Sequence, residues 1–182
     1  IVKEKFAGHK VNGVFFDDTE YAINVTVTDN ENGKLISEAT VTKNGQRASL
    51  SGLDFANKYE PTPTSEQFSG HKNYNGTLPA GEKFSFELRD SENNVIETVT
   101  AGKNEDFSFT AIEFTQKGVY TYTVNEVDTK LGGVKYDDTV YTVKITVTDD
   151  GVGTLTSVAE YINSKVATGP VPASLNFTNT YS

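Results

Sequence analysis

Three polar side chains stand on strand faces that otherwise point apolar residues inward: Lys72, Glu126 and Asn179. In Phe68-Ser69-Gly70-His71-Lys72, the lysine shares the parity of Phe68. In Tyr120-Thr121-Tyr122-Thr123-Val124-Asn125-Glu126, the glutamate shares the parity of Tyr120, Tyr122 and Val124. In Leu175-Asn176-Phe177-Thr178-Asn179-Thr180-Tyr181, the asparagine shares the parity of Leu175, Phe177 and Tyr181. Burying a lone lysine or glutamate costs several kcal/mol unless it is paired or neutralised, so three such placements call for one shared explanation. An amine in an apolar pocket is pushed toward NH₂, and a carboxylic acid toward its protonated form. Neutral lysine is a nucleophile and the asparagine carboxamide is an acyl donor. A protonated Glu126 between them can polarise the carbonyl and relay protons to departing ammonia. Holding such partners in near-attack geometry is worth roughly 7–11 kcal/mol. The expected product is a Lys72–Asn179 isopeptide bond, made once per molecule without cofactor or metal.

The elements that must position these groups read as β-strands. Phe84 to Leu88, Phe107 to Phe109, Val119 to Val124 and Val140 to Val147 alternate at period two. Turn signals separate them at Pro79-Ala80-Gly81, Glu92-Asn93-Asn94, Gly132-Gly133 and Asp149-Asp150-Gly151. No segment sustains a helical period, although Ala111 to Gln116 suggests a short turn. Short strands with frequent turns predict an all-β sandwich.

The chain also repeats itself. VFFDDTEYAINVTVTDNENGKL from Val14 matches VKYDDTVYTVKITVTDDGVGTL from Val134, and Phe55-Ala56-Asn57-Lys58-Tyr59 matches Phe177-Thr178-Asn179-Thr180-Tyr181. Asn57 precedes Asn179, and Glu4 precedes Glu126, by the same 122 residues. A period of domain length marks tandem modules. Residues 61–182 read as one complete module and 1–60 as the C-terminal half of another. Glu60-Pro61-Thr62-Pro63-Thr64-Ser65 reads as a semi-rigid linker. The half module is expected to be completed by upstream sequence or by strands of another chain, since a partial sandwich exposes edges and apolar faces. Absence of methionine, the initiator included, implies that the sequence starts inside a longer protein.

Composition narrows the classes. The net charge of −9 argues against nucleic acid and against anionic membrane surfaces. No apolar run is long enough to span a bilayer. Cysteine is absent, which excludes disulfides, thiol catalysis and Cys-based zinc sites. The only histidines, His9 and His71, fall in different modules, against a metal site or a serine triad. Asp17-Asp18, Asp137-Asp138 and Asp149-Asp150 read as solvated turn acids, with weak calcium binding as the lesser alternative.

The segments GHKNYNGTLPAGEKFSFEL, GVYTYTVNEV, GVKYDDTVYTVKITVTDDGVGTL and LNFTNTY resemble the isopeptide-linkage domains of streptococcal-type pilins and Gram-positive surface adhesins. The resemblance covers nearly all of 66–182, and 1–60 as a partial copy. It implies an immunoglobulin-like β-sandwich in tandem, with Lys72 and Asn179 crosslinked and Glu126 catalytic. For the first copy it implies Glu4 as the acid and Asn57 as the acyl donor, with the lysine counterpart falling before Ile1. The spacing from Glu4 to Asp17 is two residues longer than from Glu126 to Asp137. Gly8-His9-Lys10 echoes Gly70-His71-Lys72, but Lys10 follows its glutamate and is expected in a solvated loop. The implied role is structural: a stalk segment of a pilin or adhesin, extracellular and attached to the cell surface, partnered by neighbouring repeats or subunits. A ligand-binding adhesin module for a host protein or glycan is the alternative. A turnover glycosidase is disfavoured, because it needs paired carboxylates in a cleft.

Overall fold

The computed structural model describes residues 1–49 and 51–182. Among these there is no helix, and the chain runs as short strands. Two compact units emerge: 1–62 with 151–154, and 63–150 with 155–182.

The first unit contains β1 (Lys10–Val11), β2 (Val14–Phe15), β3 (Tyr21–Asp29), β4 (Leu35–Lys43), β5 (Gln46–Ala48) and β6 (Lys58–Tyr59). They form two three-stranded sheets, β1-β2-β6 and β3-β4-β5. Two hairpins turn on Asn-Gly. Asn12-Gly13 (φ 49° and 78°) joins β1 to β2, and Asn44-Gly45 (φ 48° and 80°) joins β4 to β5. Both residues of each pair sit in the left-handed region that two-residue hairpin turns require. Lys10 therefore lies in a strand, paired with Phe15, and not in the expected loop, because the Asn12-Gly13 turn pulls its flanks into a ladder. The core of this unit is thin. Among the described residues only Tyr21 and Val41 are buried apolar side chains, while Val25, Val27, Leu35 and Ile36 are exposed along β3 and β4.

The second unit contains β7 (Thr64–Glu66), β8 (Ser69–Tyr74), β9 (Phe84–Arg89), β10 (Val95–Ala101), β11 (Asp106–Ser108), β12 (Ile112–Phe114), β13 (Gly118–Val127), β14 (Val134–Lys135), β15 (Val140–Asp149), β16 (Leu155–Asn163) and β17 (Leu175–Tyr181). A five-stranded sheet, β10-β9-β13-β15-β16, carries one inner face. A four-stranded sheet, β11-β8-β17-β14, carries the other. Their inner side chains make one core. Phe86 of β9 stacks on Phe107 of β11 at 4.0 Å, and Phe177 of β17 lies 5.2 Å from Phe86. Phe86, Leu88, Val143, Ile145, Leu175 and Phe177 are fully buried, and each such side chain contributes about 1.5–3 kcal/mol relative to exposure. The fold is the all-β sandwich that the strand pattern predicts.

Three local expectations are corrected. Residues 112–114 are a strand, not a turn: Ile112, Glu113 and Phe114 pair antiparallel with Glu66, Ser65 and Thr64. The same pairing takes Thr64 and Ser65 out of the expected linker, because both carry the main-chain N–H that Pro61 and Pro63 lack. Tyr181 is also exposed, since it ends its strand beyond the core.

The pairing that matters for the site is β8 with β17. They run parallel, with Leu175 opposite Gly70, Phe177 opposite Lys72 and Asn179 opposite Tyr74. Gly70 makes this approach possible, since a Cβ there would stand 2.0 Å from the Leu175 carbonyl oxygen. A bulkier residue would push β17 away and unsettle the register that sets Lys72 beside Asn179.

Candidate functional site

Strand alternation carries Lys72, Glu126 and Asn179 into the interior of the second unit. Lys72 and Asn179 have no solvent exposure, and the Glu126 side chain has none. Lys72 extends from β8 so that its Nζ lies 4.6 Å from the centroid of the Phe84 ring. Glu126 comes from β13 on the opposite sheet, where it pairs with Phe86. Lys72 Nζ lies 2.8 Å from Glu126 Oε1, and Asn179 Nδ2 donates to that same oxygen at 2.9 Å. The lysine contact has ion-pair distance but lacks hydrogen-bond alignment, so Nζ makes no directed hydrogen bond to a protein group. An amine held this way gains little from being charged.

Electrostatics push both partners toward neutrality. Burial lowers the Lys72 pKa from its ordinary 10.5, against the opposing pull of Glu126. Burial likewise raises Glu126 from 4.5, against Lys72, Asn179 and the Asp137 N–H. In a low-dielectric interior an ion pair is favoured only with full hydrogen bonding, which Nζ lacks. Both shifts run in the direction of an amine facing a carboxylic acid.

Asn179 is oriented as firmly as it is buried. The main-chain N–H of Asp137 donates to Asn179 Oδ1 at 2.7 Å and to Glu126 Oε2 at 3.2 Å. Because an N–H must meet an acceptor, the amide orientation is fixed: Oδ1 faces Asp137 and Nδ2 faces Glu126. Glu126 therefore addresses the amide nitrogen, the group that would depart, and not the carbonyl oxygen. The set can pass protons between two nitrogens that share one carboxyl oxygen.

The Asp137 carboxylate was legible only as a turn acid, yet it is one of the best-held groups in the chain. Oδ1 accepts from the Thr139 N–H at 3.0 Å and from its hydroxyl at 2.6 Å. Oδ2 accepts from the Thr178 N–H at 2.7 Å. Lys165 Nζ adds a contact at 2.9 Å. Partial burial disfavours its charge, but the Thr139 hydroxyl, the Thr178 N–H and Lys165 outweigh this and hold it at about 2. The available signal was recurrence of Asp-Asp-Thr at 17–19 and 137–139.

The first unit carries the same frame. Val2 bridges Tyr21 as Val124 pairs with Tyr141. Asn57 Nδ2 donates to Glu4 Oε1 at 2.9 Å, and the Asp17 N–H donates to Asn57 Oδ1 at 2.9 Å. Asp17 accepts from the Ala56 and Thr19 N–H groups. Here Asn57 is exposed, and among the described residues no amine pairs with Glu4, whose Oε2 is covered without a hydrogen-bond partner. Lys10 is exposed on β1 and has no part in this site. His71 is engaged at the surface by Asp106, Nδ1 to Oδ1 at 2.6 Å, and stands on the opposite face of β8 from Lys72.

A family model described as FctA, Spy0128-like isopeptide containing domain, matches residues 1–60 and 68–182. No curated protein matches the chain.

The buried pair generates a pH test. In Glu126→Gln the neutralising acid is gone and Lys72 stays buried. Its folded pKa lies below 10.5, so the unfolded chain binds more protons and stability rises with pH until about 10.5. The expected slope approaches about 1.4 kcal/mol per pH unit inside that window. Urea unfolding across the alkaline range, with Glu126→Gln/Lys72→Met as the reference for all other groups, reads it. Parallel curves for the two variants would contradict a neutral buried amine.

Proposed function

We propose, on the premise that this chain belongs to the Spy0128-like isopeptide-containing domain family of pilins, that its second unit closes a Lys72–Asn179 isopeptide bond. Nζ attacks the Asn179 side-chain carbonyl carbon. The bond from that carbon to Nδ2 breaks, and ammonia leaves. Glu126 gives its proton to Nδ2 and receives one from Nζ, so it ends as it began. The observation that carries this reading is the sharing of Glu126 Oε1 by both nitrogens in an interior without solvent exposure. It is one event per molecule, so the protein turns over no substrate.

The role that follows is mechanical: a stalk segment of a pilin or adhesin on a Gram-positive cell surface. β8 and β17 lie near the two ends of the second unit in sequence and run side by side in parallel. Tension entering one and leaving the other would shear their hydrogen bonds together. A covalent bond between them takes that load instead. It also restricts the unfolded ensemble as a long-loop disulfide would, by roughly 4–5 kcal/mol in the entropic account. The alternative of a ligand-binding adhesin lacks a comparable observation.

Partners are neighbouring repeats or subunits of the same stalk. The exposed apolar stretch Val25, Val27, Leu35 and Ile36 and the covered, unpartnered Glu4 Oε2 favour addition of a lysine-bearing strand from another copy to the first unit, with Asn57 as its acyl donor. Such joining would give ladders on denaturing gels that vanish in Asn57→Ala. A single monomer band from wild type at high concentration would oppose it.

Lys72→Ala tests the crosslink through stability. A loss of 4–5 kcal/mol corresponds to a melting temperature roughly 10–30 °C lower. Proteolysis of wild type should also yield one branched peptide joining the Lys72 and Asn179 segments. Two linear peptides from these segments would refute the reading.

A further inference from the structure

Resting on that reading, we infer that the main-chain N–H of Asp137 is the oxyanion donor of the crosslinking reaction, and that the Asp137 carboxylate is its positioning group. When Nζ bonds to the Asn179 carbonyl carbon, the π electrons of that carbonyl move onto Oδ1. The tetrahedral intermediate then carries its negative charge there, until collapse re-forms the carbonyl and expels ammonia through Nδ2. The group facing Oδ1 at 2.7 Å is the Asp137 N–H. Glu126 is committed elsewhere, since its Oε1 takes both nitrogens. Polarising the carbonyl and relaying the proton are thus divided between two residues on different strands and loops.

Placement of this N–H is itself built. The Asp137 carboxylate grips the Thr178 N–H, immediately before Asn179, and the Thr139 N–H and hydroxyl. One side chain therefore ties the loop that carries the donor to the strand that carries the acceptor. The arrangement occurs twice. In the first unit, Asp17 grips the Ala56 and Thr19 N–H groups and donates its own N–H to Asn57 Oδ1. The carboxylate's hydrogen bonds go to the Thr139 N–H and hydroxyl, the Thr178 N–H and Lys165, not to Lys72 or Asn179, so its part is positioning. A preorganised donor at the site of developing charge, in a dry interior, is among the strongest single contributions to acyl transfer.

The test uses the whole 182-residue chain assembled chemically in denaturant, so that reaction begins only on dilution into folding buffer. Replacing Asp137 by its α-hydroxy analogue turns the 136–137 peptide into an ester and deletes only the N–H. Loss of ammonia, followed by intact mass after tyrosine fluorescence reports folding, should slow by roughly 10²–10³-fold. The pH limit set by Lys72 should stay in place, while the one set by Glu126 should move up, because the ester also takes the Asp137 N–H away from Glu126 Oε2. Asp137→Ala keeps the N–H but frees it, and should slow the reaction by roughly ten- to a hundredfold, with Asp137→Asn in between. If the wild type loses ammonia and a folded ester chain keeps pace with it, the donor assignment is wrong. Should the ester not fold, a folded Asp137→Ala reacting at the wild-type rate overturns the inference by itself. If the wild type never loses ammonia, the proposed function falls, and this assignment with it.

Discussion

Lys72 and Glu126 meet through one carboxyl oxygen in an interior with no solvent exposure, and this single constraint organises the second unit. Charged, the pair would carry a desolvation cost of several kcal/mol per ion that an unaligned contact does not recover. Neutral, it leaves a nucleophile beside a carboxamide whose orientation is already fixed. The surrounding features serve that arrangement. Gly70 lets β17 lie against β8, Phe84 covers the amine, and the Asp137 loop pins the amide oxygen. Ordinary packing would be better served by three apolar residues here, and the proposed crosslinking supplies the reason for keeping polar ones.

The two units separate the residues from their environment. Both contain a glutamate that takes the asparagine amide, an N–H on the amide oxygen, and an aspartate that clasps the strand. In the second unit, the set lies under two facing sheets and burial shifts Lys72 and Glu126 toward neutrality. In the first, Asn57 is exposed and the core is thin. Hydrogen-bond geometry is local and survives in either setting, because it depends on a few neighbouring residues. Neutralisation depends on exclusion of water, and therefore on strands distant in sequence.

This division also explains what could be read beforehand. Period-two alternation placed Lys72, Glu126 and Asn179 on inner faces, and burial follows that parity through Gly70, Lys72 and Tyr74 and through Leu175, Phe177 and Asn179. Alternation is a property of one strand, so one strand suffices to read it. Strand pairing is not: the parallel union of β8 with β17 spans most of the chain, and no local signal announces it. Residues 112–114 are strand only because Thr64–Glu66 receives them. Lys10 is a strand residue because the Asn12-Gly13 turn, a local hairpin signal, pairs it with Phe15. Asp137 looked like a solvated acid because its partners, Thr178 and Lys165, arrive from far along the sequence.

The proposed reaction requires no external catalyst, since Lys72, Glu126, Asn179 and the Asp137 N–H all belong to one folded unit. The most direct test is therefore the intact mass of the folded protein against its sequence mass, with Lys72→Ala measured alongside. The account predicts that wild type weighs one ammonia less than its sequence, and that the variant matches its own sequence. A wild-type mass equal to the sequence mass after complete folding would contradict it.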